Sequence, residues 1–298
     1  MSAKKDKALY ISVFLLLILY LLSFVKSSLS KDKREYIKSS MINAKYKESI
    51  YQIDLYNING NISLKKINNG KNSWWEISQK DQFFSPADSA KVEKMINELT
   101  KVRNMYKLSD KIYENSAFGL SDSNAFHLKY YFSDGFHDLT FGNQDFSLTG
   151  RYIMTDKNTR VYEINNDMDL YLSSNLQSWT EPFLISQQIL GKITKSDIQS
   201  TKTYCKGRSS SISDIDKLLE LRTGGIIPNN LASENASPDY SLNIEIGNKS
   251  QIIINIFPTD KETDFAVETR YINSDKSSKS YWASISSWTY NKIKEITL

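Results

Sequence analysis

Ala8 to Val25 (ALYISVFLLLILYLLSFV) holds no charged side chain. Coiled as a helix at ~1.5 Å per residue, such a run reaches across most of the ~30 Å hydrocarbon core of a bilayer. No other stretch of the 298-residue chain is apolar for as long. A helix that is apolar all round has to be covered, by protein or by lipid, and the Lys- and Ser-rich flanks offer no cover. Lys4, Lys5 and Lys7 precede the run, and Lys26, Lys31, Lys33 and Arg34 follow it. The positive-inside comparison is therefore nearly balanced. A short tail with a large body behind it predicts a cytoplasmic tail at 1–7 and a single transmembrane helix at 8–25 in contact with lipid. The body then lies on the extracytoplasmic side of the cytoplasmic (inner) membrane. Phe24-Val25-Lys26-Ser27-Ser28-Leu29-Ser30 has no A-x-A-like site, which favours an uncleaved anchor, although the serines are small enough for cleavage.

The net charge of +4 belongs to this end of the chain. Residues 1–47 hold ten Lys/Arg against three acids, and the other residues hold 28 against 31. The basic stretch at 26–49 reads as a juxtamembrane linker, in contact with lipid headgroups or simply solvated. A nearly neutral body argues against nucleic acid as a partner. Cys205 is the single cysteine, so an intrachain disulfide and a thiolate zinc cage are excluded, and a half-buried structural thiol is its expected role.

From Tyr51 onward the pattern is strand-rich. Tyr51–Tyr56 and Ile62–Ile67 flank Asn59-Gly60-Asn61, and Asn68-Asn69-Gly70 leads to Trp74-Trp75-Glu76-Ile77. Asn-Gly between β-favouring runs signals hairpins. A helix follows, with Ser85 as its cap, Pro86 at the first helical position and Asp88 closing a capping box. Val92, Met95, Ile96, Leu99 and Val102 form its apolar stripe. Phe126–Phe132 and Leu139–Phe141 make a hairpin around Ser133-Asp134-Gly135. Arg151–Met154 and Arg160–Ile164 make another, turning at Asp156-Lys157-Asn158, and a short helix runs from Asp167 to Leu172.

The order helix, hairpin, hairpin, helix recurs roughly 115–125 positions downstream. Asp214 opens a helix that Thr223-Gly224-Gly225 ends. Tyr240–Ile246 and Ile252–Ile256 pair, Ala266–Ile272 and Tyr281–Ile285 pair, and Trp288–Ile293 closes the unit. The expected fold class is α+β: the transmembrane helix, then two similar units of antiparallel sheet with packed helices, at 50–190 and 191–298, as an internal duplication would produce.

Ser85-Pro86-Ala87-Asp88 with Val92-Glu93 and Leu99 resembles the helix of a bacterial family known as domain of unknown function 4340. Phe118-Gly119-Leu120, Leu139-Thr140-Phe141-Gly142-Asn143, Arg151-Tyr152-Ile153-Met154 and Val161-Tyr162-Glu163-Ile164 resemble its turn and strand motifs. The resemblance covers about residues 50–185 and is faint after 190. Leu176–Glu181 stands where the family often carries an Arg-Asp-Lys cluster. The resemblance implies a membrane-anchored envelope protein accompanying ABC transport components of the gliding-motility type, with no catalytic residues to carry over. It gives Ser85, Pro86 and Asp88 a helix-starting role, and Gly119 and Gly142 tight backbone geometry.

Chemistry is sparse. The two histidines, His127 and His137, lie on the arms of one hairpin and with Asp134 or Asp138 could hold a metal, but solvent-facing strand positions account for them more simply. No nucleophile elbow, phosphate loop, zinc-protease helix or dinucleotide loop is present. Asp167 and Asp169 read as helix-start acids. Trp74 and Trp75, on opposite faces of one strand, are the sharpest candidates for a binding surface, one buried and the other partly exposed. No cofactor is called for. The expected function is a non-enzymatic, single-span accessory or interaction module with protein partners, among them ABC transporter subunits. The alternatives are an envelope glycan- or peptide-binding module and a hydrolase centred on the histidines.

Overall fold

A computed structural model of the chain describes residues 13–20, 35–110, 112–121, 123, 125–155, 160–191, 193–205, 208–210, 212, 214–228, 237–247, 249–261 and 263–297. Alternation at period two governs most of them. In β7 (Phe126–Phe132) and β14 (Tyr240–Ile246) every second side chain is buried, which makes each strand one row of a core-facing sheet surface.

Ten strands make the first sheet, in the order β1-β6-β10-β9-β8-β7-β2-β3-β4-β5. They are β1 (Tyr36–Ser39), β2 (Gln52–Asn57), β3 (Gly60–Asn68), β4 (Ser73–Gln79), β5 (Phe83–Pro86), β6 (Arg103–Ser109), β7, β8 (Gly135–Gln144), β9 (Gly150–Thr155) and β10 (Val161–Asn165). Seven make the second, in the order β12-β11-β14-β15-β16-β17-β13. They are β11 (Ile198–Cys205), β12 (Arg208–Ser210), β13 (Gly225–Ile226), β14, β15 (Gln251–Pro258), β16 (Asp264–Ile272) and β17 (Ser278–Ser286). Every pairing is antiparallel.

The α+β expectation is corrected by this architecture. Among the described residues antiparallel sheet predominates, and the helices, besides the helical residues 13–20, are α1 (Ser89–Thr100), α2 (Ile215–Leu219), α3 (Ser287–Thr297) and short 3-10 turns. The transmembrane helix is corrected as well. Residues 13–20 are helical and exposed, and 8–12 and 21–25 lie outside the described residues. No helix among the described residues is long and apolar enough to cross a membrane. The tail at 1–7 and the linker stretch 26–34 also lie outside them, as does the turn Asp156-Lys157-Asn158. Residues 36–49, read as linker, are part of the body. β1 pairs with β6, Tyr36 opposite Tyr106, a 3-10 turn follows at Ala44–Ser49, and Met41, Ile42 and Ile50 are buried in the first core.

The helix after β5 starts later than its sequence suggests. Ser85 and Pro86 remain in β5, paired with Ile77 and Glu76. A proline is tolerated there because β5 is the last strand of its sheet. Asp88 is the true cap, its carboxylate accepting from Lys91 N–H at 3.0 Å. Val92, Met95, Ile96 and Leu99 are buried beneath the first sheet, whereas Val102, beyond the last turn, is 66% exposed. Gly224-Gly225 is not a helix stop either. Gly225 pairs with Ser284 as β13, and the chain has left α2 by Glu220.

Two cores result. The first lies between the inner face of the first sheet and α1, and includes Trp75, Ile77, Leu64, Leu128 and Trp179. The second lies under the second sheet and α3, and includes Leu242, Ile254, Tyr281 and Ile293. Trp74 belongs to the second core although its strand belongs to the first sheet.

Candidate functional site

Successive side chains of a strand point to opposite faces, and in β4 both faces are covered. Trp75, 1% exposed, turns into the first core, where its indole N–H donates to Glu93 Oε1 at 2.8 Å. Trp74, 4% exposed, turns the other way into the second core. Its indole N–H donates to the Tyr281 hydroxyl at 3.3 Å, and that hydroxyl donates to Glu76 Oε2 at 2.9 Å. Lys279 Nζ stands 2.5 Å from the same carboxylate oxygen. Two strands, β4 and β17, are thus joined through a buried Trp74–Tyr281–Glu76 chain that the partly exposed Lys279 closes. Burial and the neighbouring Glu76 carboxylate push the Tyr281 hydroxyl's pKa well above the ordinary phenol range, so it acts as a fixed neutral donor. The expected exposed tryptophan platform is corrected by this geometry: neither indole is open to a ligand.

Beyond Glu76 the outer face of the first sheet opens into a trough of about 540 Å³. Its floor is set by register. Asp54, Ser63 and Ser78 are consecutive cross-strand partners on β2, β3 and β4, so three short side chains lie in a line across the strands. Longer neighbours wall it: Lys65, Lys80, Phe84 and, from the second sheet, Lys279. Asp54 is held on three sides. Gln52 Nε2 and Ser63 Oγ donate to its Oδ1 at 2.9 and 2.7 Å, and the Tyr131 hydroxyl donates to its Oδ2 at 2.8 Å. Partial burial and this hydrogen bond to Asp54 push the Tyr131 hydroxyl up to about 12.

One rim of the trough is the turn from β4 to β5, closed by Gln82 N–H to Gln79 O at 3.2 Å. Its two central residues, Lys80 and Asp81, both lie at φ +52. Turns of this hand suit Asn-Gly, and side chains with a Cβ are strained in them. Both residues line the trough.

The other candidates from sequence fall elsewhere. His127 stacks on Tyr56, with ring centroids 4.8 Å apart, and lies opposite Thr140. His137 packs against Phe132 and Tyr46 on the other face of the sheet. The histidines therefore do not converge, and among the described residues no group of three or more His, Cys, Asp or Glu could hold a metal ion. The Cys205 side chain lies outside the described residues. Gly119 sits at φ +69, where a Cβ would strike the Asn143 side chain, and a Cβ on Gly142 would fall 2.2 Å from Phe118 O. The two glycines let the Phe118–Leu120 turn lie directly on β8. Arg151 holds this corner, donating to Gly142 O at 2.6 Å and pairing with Asp169. Ser85, Pro86 and Asp88 lie at the junction of the two sheets: Asp88 N–H donates to Trp179 O, and Glu181 N–H to Pro86 O.

Sequence reasoning missed Asp54, Ser63, Ser78, Lys80, Lys279 and Glu181. Period-two alternation marked the first three as outward-facing, but nothing in the chain indicated that Lys279 would overhang them. Glu181 borders a cavity of about 20 Å³ between the sheets, room for a single water. Its Oε2 and the Oε1 of Gln188 are buried and have no hydrogen-bond partner among the described residues. Burial raises the Glu181 carboxyl above the ordinary range, helped by the nearby Asp88 and opposed by Ser186 and Gln188.

A family model described as Domain of unknown function (DUF4340) matches the chain from Trp75 in β4 to Glu220 just past α2. The match begins later and reaches further than the resemblance read from the sequence, and it crosses from the first sheet into the second. No curated protein and no solved structure matches the chain. The matched segment contains Trp75, Glu76, Ser78, Lys80 and the strained turn, whereas Asp54, Ser63 and Lys279 come from outside it.

Proposed function

We propose that this chain is a non-enzymatic interaction module whose partners are proteins, with subunits of an ABC-type transport system as the partners implied by the family resemblance. The observation that carries this reading is the β1 edge of the first sheet, which has no partner strand among the described residues. Among the described residues β1 pairs only with β6, and its Tyr36 and Ile37 are 49% and 44% exposed. An open edge with apolar side chains accepts a partner strand by backbone pairing, with the side chains giving selectivity. The non-enzymatic part draws support from the trough carboxylates: Asp54 is held by three donors, and Glu76 is tied to Lys279 and Tyr281. Neither is poised beside an activated nucleophile or base.

Chemical crosslinking of the full chain in its native cells, followed by mass spectrometry, tests the reading. Crosslinks from residues 36–39 to an ATPase or permease subunit are expected, and Ile37→Lys should abolish them. A chain that stays uncrosslinked and monomeric under every condition overturns it. Glycan binding is a second reading, favoured by the hydrogen-bonding floor of the trough.

A further inference from the structure

We infer that the trough on the outer face of β2, β3 and β4 is a binding site for an uncharged, hydroxyl-rich chain, a neutral glycan. This site is separate from the β1 edge and does not depend on the protein-partner reading.

Charge is the first ground. The lining carries three carboxylates, Asp54, Glu76 and Asp81, against three lysines, Lys65, Lys80 and Lys279. A balanced lining generates little net field and gives no steering to polyanions or strongly charged peptides. Backbone pairing is the second. β2, β3 and β4 are interior strands, each hydrogen-bonded on both sides. An extended peptide therefore finds no free backbone edge on the floor and cannot add as a strand.

Hydrogen-bonding chemistry is the third ground. The Ser78 hydroxyl and the Asn61 amide line the trough and each can both donate and accept. Ser63 spends its proton on Asp54 and keeps its lone pairs. Sugar hydroxyls have the same dual character, so a hydroxyl-bearing chain can satisfy such groups in either direction. Phe84 on one wall offers an apolar face for the C–H side of a sugar ring. Three strands at ~4.8 Å spacing make the floor on the order of 10–15 Å long.

Strain is the fourth. Lys80 and Asp81 occupy left-handed backbone that Asn-Gly would take without penalty. Strain of this kind persists where a side chain is wanted in place, and the turn sets these two side chains at the rim.

Calorimetric titration of the full chain with three neutral hexasaccharides tests this: β-1,4-linked N-acetylglucosamine, β-1,4-linked glucose and α-1,4-linked glucose. At least one should bind, and Ser78→Leu should weaken it tenfold or more. Should that variant unfold, the paired change Lys80→Asn with Asp81→Gly serves instead. It is expected to raise the melting temperature while weakening the same sugar about fivefold. Binding by none of the three, or unchanged affinity in the folded variants, overturns the site. Competition by a mixed-charge peptide in place of sugar binding overturns the glycan assignment.

Discussion

Seven strands of the first sheet, β6-β10-β9-β8-β7-β2-β3, follow one another in the same neighbour order as β13-β17-β16-β15-β14-β11-β12 of the second. What differs is what has been added. The first sheet carries β1 beyond β6 and the extra hairpin β4–β5 beyond β3, whereas among the described residues the second sheet ends at β13 and β12. That hairpin supplies Trp74, Trp75, Glu76, Ser78, the Lys80-Asp81 turn and Phe84. The junction between the sheets and one wall of the trough are thus built from strands that the second sheet lacks. Helical cover differs too. α1 runs from Ser89 to Thr100 under the first sheet, whereas in the second sheet the corresponding α2 is a single turn and α3, at the C-terminal end, takes over. A shared strand order has therefore been finished in two ways, and the finishing is where the candidate site lies.

Five experiments sharpen or break this comparison. The largest effect is expected at Trp75, which belongs to the first core alone. Trp75→Ala should cost about 3–5 kcal/mol in denaturant unfolding, as large aromatic truncations do. Trp74→Ala should instead loosen the second sheet from the first, detected as faster amide exchange in β17 with β7 unchanged. Equal exchange in both strands would show that the sheets unfold as one unit and would break the distinction.

Gly142 comes next. A Cβ there meets Phe118 O at 2.2 Å, so Gly142→Ala should cost about 2–3 kcal/mol by overpacking. Thermal melting checks it, and a wild-type melting temperature would show that the Phe118–Leu120 turn can move away at no cost.

Lys279→Met leaves the buried Glu76 carboxylate with Tyr281 as its remaining partner. Removal of one member of a fully buried pair costs ~3–5 kcal/mol. Lys279 is 39% exposed, so solvent screening reduces the expected loss to about 1–2 kcal/mol. The paired change Glu76→Gln with Lys279→Met should recover most of it, and a double-mutant cycle reads the coupling.

The smallest effect is the pH dependence of Glu181. Its carboxyl is raised by burial, so the folded state holds the proton more tightly than the unfolded chain. Its contribution to stability is full below the unfolded pKa of Glu and is lost as pH rises through the higher folded one. Glu181→Gln should remove that loss and stabilise the protein at pH 8 by about 1 kcal/mol, the order of the penalty for an unpaired buried acceptor. Unfolding curves at pH 5 and pH 8 decide it, with a difference between variant and wild type expected only at the higher pH.

Local sequence determined the strands and most of the turns. Alternation in Phe126–Phe132 and Tyr240–Ile246 and the apolar stripe from Val92 to Leu99 act through neighbours within a few residues, and such signals survive in one dimension, whereas the first hairpin turns at Ile58-Asn59, one residue before the expected Asn59-Gly60, because Gly60 is already paired with Asn57. The family resemblance was legible for the same reason, in short motifs such as Phe118-Gly119-Leu120. Helix starts were less legible. Ser85-Pro86 has the chemistry of a first turn, yet pairing with Glu76 and Ile77 holds both residues in β5, because strand hydrogen bonds there outweigh an intrinsic preference. The balance of sheet over helix also depended on contacts that sequence does not display. Tertiary packing alone decided the fate of Trp74. One residue apart, the two tryptophans carry the same local signal, and only the arrival of β17, more than two hundred positions away, turns one of them from a surface side chain into core. The trough exists for the same reason: its floor is written in β2, β3 and β4, but its overhanging wall comes from Lys279, and burial by a distant strand leaves no trace in the local pattern of the residues it covers.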